Sequence, residues 1–383
     1  MPGFTFETTP RLICEDGAAL RLGALAAERG IRRALVVTDR GLLDAGVLAP
    51  ALDALGAAVE VELYAGVRAD PPQDTVEEAA AAARDRGCDG VIGLGGGSSL
   101  DTAKLAALLA RSGERLDDVL GVERTRGPRL PLVQVPTTAG TGSEVTPIAI
   151  VTTPSHAKVG VVARALYADV AVLDAELTVG LPPRVTAMTA VDAMVHAIEA
   201  YTSRHRKNVL SDALAVRALA LLSRHLPRAV SDGGDLDARR ALLQGSMLAG
   251  MAFANAPVAA VHALAYPLGG HFGVPHGLSN ALVLHPVLEF NLPAADRLYA
   301  ELAPWLRTTG SAAVRPATGR ALLDGLAELT AALPLERTLR EVGVAESDLP
   351  TLARDAMQVQ RLLVNNPREV TYDDALAIYR AAL

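Results

Sequence analysis

The chain changes character at Leu181-Pro182-Pro183, and that change sets what it can fold into. Before it, short apolar runs alternate with helical stretches. Residues 34–38 are a β-branched run ending at Asp39 and read as a buried parallel strand. Residues 59–64 alternate with period two, and Pro71-Pro72 then punctuates a loop. Asp74, three residues before Glu77, has capping-box spacing and predicts a helix to about Arg86, stopped by Gly87. Residues 88–94 predict a strand, 101–110 a helix and 130–135 a further strand. That order predicts an open, mostly parallel sheet with helices on both faces. Beyond Pro183, residues 185–201, 209–225, 238–255, 320–332 and 372–382 carry helical periodicity in Ala- and Leu-rich sequence. The expectation is an α/β domain over residues 1–180 and an all-helical domain over 181–383, divided at about 178–183.

At 383 residues the chain is long enough for two cores. Its formal net charge of −7 argues against a nucleic-acid partner, which would demand a basic surface. The first residues lack the basic head and apolar run of a signal peptide, and no run of 18 apolar residues predicts a membrane span. Cys14 and Cys88 allow one disulfide at most, so a reducing cytoplasm is expected. Lysine is confined to Lys104, Lys158 and Lys207; the first two flank the Gly- and Thr-rich segments.

Two of those segments could carry phosphate chemistry. The run 93–104, GLGGGSSLDTAK, sits between a strand and a helix. Its glycines let backbone N–H groups approach a phosphate, the following helix N-terminus adds unpaired donors, and Ser98, Ser99 and Asp101 stand beside them. An ordinary tight turn would use the same glycines. The run 136–146, PTTAGTGSEVT, leaves the carboxyl end of a strand, where open sheets of this kind bind ligands. Asp39 closes its own strand where an acidic group can hold an adenosine ribose and repel a 2′-phosphate, favouring NAD over NADP; capping the turn at Arg40 is its other use.

Four residues read as one metal site. Asp192 and His196 are four apart and project from one helix face; His262 and His276 follow in VHALAYPLGGHFGVPHG. One carboxylate and three imidazoles suit Fe²⁺ or Zn²⁺ and leave a net positive charge that can polarise a substrate oxygen. A surface ion pair would also explain the first two. His156, His205, His225 and His285 lie among polar, turn or helix-end residues and are assigned no role.

Together, GGGSSLDTAK (95–104), PTTAGTGSEVT (136–146), DAMVHAIEAY (192–201) and HALAYPLGGHFGVPHGLSNAL (262–282) resemble the iron-containing, or group III, alcohol dehydrogenases. The resemblance implies an N-terminal dinucleotide-binding domain, a C-terminal helical domain and an active site in the cleft between them. By motif position it makes Asp192, His196, His262 and His276 the metal ligands. It places Gly96, Gly97 and Ser98 on the pyrophosphate of NAD, with Thr137, Thr138 and Thr146 lining the cofactor cleft and Lys158 reaching the ribose or amide. It implies a homodimer that passes hydride between a primary alcohol, or its aldehyde, and nicotinamide. Many members carry a second histidine four residues after the third ligand; here Tyr266 stands there, and His271 is an added imidazole. Tyr266 or His271 is therefore the expected contact to substrate or its proton. Two related chemistries compete: a maleylacetate reductase, which would want arginines such as Arg164 or Arg204 turned inward, and a dehydroquinate synthase-like lyase that recycles its NAD.

Overall fold

In the computed structural model, residues 3–154, 157–307 and 314–383 are described, and they form two compact units. The first unit holds Thr8–Thr138 and Gly142–Val179; the second holds the residues up to Glu7, Ala139–Thr141 and Gly180–Leu383.

The first unit is built on a six-stranded parallel sheet in the order β1-β9-β6-β4-β2-β3. Its strands are β1 (Leu12–Cys14), β2 (Arg33–Val37), β3 (Glu60–Tyr64), β4 (Gly90–Gly95), β6 (Leu132–Pro136) and β9 (Val170–Leu173). Every residue of β4 and β6 is buried, which is why these stretches read as continuous apolar runs. Successive side chains take opposite faces. Ala34, Val36, Ile92 and Leu94 pack with Leu22 and Leu25 of α1 (Leu22–Glu28) and Leu55 of α2 (Ala49–Gly56). Leu35, Val37 and Val91 pack with Ala83 of α3 (Gln73–Asp85) and Ala103 and Ala107 of α4 (Gly97–Ser112). A smaller sheet, β5 (Gly121–Val122), β8 (Lys158–Val162) and β7 (Ile148–Thr152), covers Leu105 and Leu108 of α4 through Val151 and Val161. Sequence patterning gave no warning of this sheet, nor of the short strands β1 and β9.

Two local expectations change. No capping box forms at Asp74: Pro72 holds the N-cap position of α3, and the Asp74 carboxylate instead pairs with Arg68 and accepts from the Thr75 N–H at 2.7 Å. The helix expected from Asp101 begins at Gly97, so the glycines themselves form its N-terminus.

The second unit is helical: α5 (Pro183–Thr202), α6 (Val209–Ser231), α7 (Leu236–Asn255), α8 (Ala260–Phe272), α9 (His276–Leu302), α10 (Gly319–Ala331), α11 (Leu349–Ala356) and α12 (Tyr372–Ala382). No single described helix is long and apolar enough to cross a membrane. The longest, α9, contains Pro286 and Pro293, residues that normally end a helix by removing a donor and crowding the preceding turn, so periodicity alone did not predict it.

Candidate metal centre and nucleotide loops

In the first unit, parallel pairing aligns Leu94 with Val135 and Gly95 with Pro136, so the loops after β4 and β6 leave the sheet side by side. The Thr137 N–H donates to the Gly95 carbonyl at 2.9 Å, and a Cβ on Gly96 would stand 3.5 Å from Thr138. β2 lies on the other side of β4, and the chain reverses its direction across the sheet between these two strands. Such a switch point is where open α/β sheets receive ligands. Gly96, Gly97, Ser98 and Thr138 are half-buried there, with the N–H groups of the first turn of α4 beside them.

The Thr137 hydroxyl is buried without a hydrogen-bond partner, whereas Asp39, Asp101, Thr146 and Lys158 have partners within the protein. Asp39 caps the turn Arg40–Asp44, accepting from the Leu42 N–H at 3.0 Å; the alternative weighed for it is thus the interaction observed. Asp101 accepts from Ser143 Oγ at 2.6 Å and the Ile150 N–H at 2.9 Å. Thr146 is buried and accepts from Lys104 Nζ at 3.3 Å, while Lys104 also donates to the Ile148 carbonyl at 2.7 Å. The Asp and Lys of the first motif therefore stitch the second motif in place. Burial pushes Lys104 down to about 8, against the pull of Asp101 and Glu144. It pushes Glu144 up to about 7, against the Lys104 charge. The Lys158 side chain is covered and ion-paired with Asp70 at 2.8 Å; the Asp70 N–H in turn donates to Ser98 Oγ at 3.2 Å. Asp70, with a left-handed φ of 50°, ties Lys158 to the glycine loop, and its position before Pro71 gave no hint of that.

The second unit brings Asp192, His196, His262 and His276 together. Their four donor atoms all lie within 4.8 Å of one another. Asp192 Oδ1 is 3.8 Å from His196 Nε2, 3.7 Å from His262 Nε2 and 3.6 Å from His276 Nε2. Asp192 and His196 share a face of α5, His262 lies in the first turn of α8, and His276 opens α9. The close approach of α9 to α5 depends on Gly277, where a Cβ would fall 2.4 Å from the Met188 carbonyl oxygen. Gly140 does the same for its loop: a Cβ there would meet Thr189 at 2.8 Å. His196 stacks between Phe253, 4.3 Å away, and His262, 4.7 Å away. The two carboxyl-proximal ligand candidates differ in access: His262 is buried, His276 only half so.

Donor chemistry and spacing both fit a divalent ion. Bonds of about 2.1 Å to a tetrahedral ion place donors about 3.4 Å apart, close to the Asp192–imidazole separations. Asn280 adds an independent sign. Its Nδ2 donates to Asp192 Oδ1 at 2.6 Å and lies 3.3 Å from Nε2 of both His262 and His276, so three of the four donor atoms converge on one amide group, while Oδ1 is buried without a hydrogen-bond partner. Burial would raise Asp192, but the His196, His276 and His262 rings hold it far below the usual carboxylate range. Burial holds His196 down at about 3, against the attraction of Asp192, so its ring is neutral at pH 7. His262 is lifted to about 9 by Asp192 and Glu199, although burial opposes this; a cation arriving there displaces a proton.

Tyr266 reaches this cluster, its ring 6.0 Å from that of His276, and Arg361 donates to its hydroxyl at 3.3 Å. His271 is exposed, with its Nε2 2.6 Å from Asp355 Oδ2 and Phe272 as its ring neighbour. Of the two side chains expected at the substrate proton, Tyr266 is the one with a ring contact to a member of the cluster. Arg164 and Arg204 are exposed. His156 lies outside the described residues. Sequence reading missed Glu199, Asn280 and Asp70; for Glu199 the signal was present, since it falls seven residues after Asp192 on the same helix face.

Residues 9–175 match the family model described as iron-containing alcohol dehydrogenase, and residues 186–383 match the C-terminal part of the Fe-containing alcohol dehydrogenase family. Long-chain-alcohol dehydrogenase 1 of Geobacillus thermodenitrificans is 42% identical over 357 residues, 92% of this chain and 90% of that protein. The solved alcohol dehydrogenase from Oenococcus oeni superposes with a TM-score of 0.93 at 32% identity, covering 100% of both chains. A sulfoacetaldehyde reductase from Bifidobacterium kashiwanohense, solved in complex with NAD⁺, gives a TM-score of 0.89 at 28% identity over 100% of this chain and 99% of that one.

Proposed function

The chain belongs to the iron-containing alcohol dehydrogenase family, and from that premise we propose that Asp192, His196, His262 and His276 hold its divalent ion, Fe²⁺ or Zn²⁺. The protein is an NAD-linked oxidoreductase acting on CH–OH groups, interconverting alcohols and aldehydes. The reading assigned here is a primary alcohol: R–CH₂OH and NAD⁺ give R–CHO, NADH and H⁺. The observation that carries it is the convergence of one carboxylate and three imidazoles within 4.8 Å inside a helical core.

When bound, the ion supplies Lewis acidity toward a substrate oxygen, and nicotinamide supplies the hydride acceptor. The chain's own contribution is placement. A single anion, Asp192, among neutral ligands leaves the centre positively charged, and the Asn280 amide fixes that carboxylate at 2.6 Å. Phe253 stacks on the His196 ring and helps fix its plane. Gly96, Gly97 and Ser98 offer first-turn N–H groups to the pyrophosphate, Thr137 and Thr138 flank them, and Lys158 is held nearby through Asp70. Tyr266, beside half-buried His276, is the side chain assigned to pass the substrate proton. Correct placement alone can supply several kcal/mol of a barrier.

A cytoplasmic homodimer completes this reading; the location is supported by Cys14 and Cys88 both being free thiols. The test is a panel of alcohols and aldehydes with NAD⁺ or NADH after reconstitution with Fe²⁺ or Zn²⁺. Primary alcohols should accumulate NADH. Preference for a ketodiacid, or turnover without net NADH, would replace the reading with the reductase or the lyase.

A further inference from the structure

Glu199 stands outside the donor set, yet it is 3% exposed and shares a helix face with Asp192 and His196. Its Oε2 lies 2.6 Å from Nδ1 of His262 and accepts from the Ala259 N–H at 3.0 Å; its Oε1 accepts from the Val261 N–H at 2.7 Å. Both oxygens are therefore committed to the one turn that carries His262. Ala259, which precedes α8, has no side chain able to cap it, so Glu199 supplies the acceptors and the negative charge that a helix N-terminus favours.

An imidazole takes a cation through a bare ring nitrogen and keeps its hydrogen on the other. Nε2 of His262 faces Asp192 and Asn280, and Nδ1 faces Glu199. A carboxylate accepts and cannot donate, so the hydrogen of that 2.6 Å contact belongs to Nδ1 and the lone pair points at the other three donors. We infer that Glu199 is a positioning residue of the metal centre, fixing both the tautomer and the ring plane of His262. The inference rests on His262 being a ligand, as proposed above. Its reach extends to a second ligand, because His262 stacks on His196. A carboxylate behind a ligand imidazole also strengthens its basicity, and losing such a partner typically lowers metal affinity about 10–100-fold.

A glutamine at 199 cannot serve all three contacts. Its NH₂ faces either the Val261 N–H, leaving two donors opposed, or His262 Nδ1, where it reverses the tautomer. The experiment titrates the stripped full-length protein with Co²⁺ against a competing chelator, in the wild type, Glu199→Gln and Ile198→Ala. Ile198 is wholly buried on the same helix and serves as the control for a general loss of packing. Affinity should fall about 10–100-fold in Glu199→Gln and by less than about threefold in Ile198→Ala. A second readout needs no variant: in zinc-loaded wild type labelled with ¹⁵N-histidine, one ring Nδ1–H should resonate well downfield of the others, as a short charge-assisted bond requires. Equal affinity losses in the two variants, or no such downfield proton, would overturn the role of Glu199. A wild type that takes up no stoichiometric Co²⁺ would instead overturn the metal-site reading beneath it.

Discussion

Replacing Gly277 by alanine tests whether helix contact sets the metal geometry. The new methyl carbon would sit 2.4 Å from the Met188 carbonyl oxygen, 2.8 Å from its carbon and 3.4 Å from the Thr189 nitrogen. Met188 and Thr189 are backbone within α5, so no side chain can swing aside. Restoring an ordinary contact of about 3.5 Å moves the start of α9 away from α5 by about 1 Å. His276 is the adjacent residue, and its Nε2 is 3.6 Å from Asp192 Oδ1, one helical turn beyond Met188. A shift of that size far exceeds the roughly 0.2 Å tolerance of a metal–ligand distance. The expected result is at least a tenfold loss of Co²⁺ affinity by chelator competition, with about 1–3 kcal/mol of stability lost to overpacking in urea unfolding. Gly273→Ala is the comparison. Its Cβ would meet nothing within 4 Å, and its φ of 64° costs only about 1–2 kcal/mol, so metal affinity should hold. A Gly277→Ala protein with unchanged affinity and stability would refute the argument.

Two further outcomes follow from the structure. Glu144, raised to about 7 from an ordinary 4.5, binds its proton more tightly folded than unfolded, so its contribution is lost as pH climbs from below 4.5 through 7. Glu144→Gln should therefore gain on the wild type by up to about 3 kcal/mol between pH 5 and 8 in paired urea titrations, and parallel pH curves would discard the buried-acid assignment. Tyr266→Phe should change the pH–rate profile of alcohol oxidation while His271→Ala leaves it alone; the reverse pattern would move the proton path to His271.

Much of this was legible in the chain because periodicity and motif spacing report local physics. The strands over β2, β4 and β6 are buried on both faces and so announce themselves as apolar runs. Asp192 and His196 share a helix face by spacing alone. What the sequence hid depends on tertiary contact. Asp101 and Thr146 stand in glycine-rich motifs, yet their partners are Ser143, Ile150 and Lys104, chosen by how two loops fold together. Asn280 and Glu199 look like ordinary helix residues until α5, α8 and α9 converge. The helix α9 went unseen because Pro286 and Pro293 are tolerated inside it, against their intrinsic preference.

The most direct measurement is elemental analysis of freshly purified, active protein beside Asp192→Ala, with alcohol-dependent NADH formation assayed on the same samples. One transition-metal ion per chain should accompany activity in the wild type, and both should vanish together in the variant. Full turnover by wild-type protein stripped of metal, or by an Asp192→Ala protein that holds none, would contradict the account.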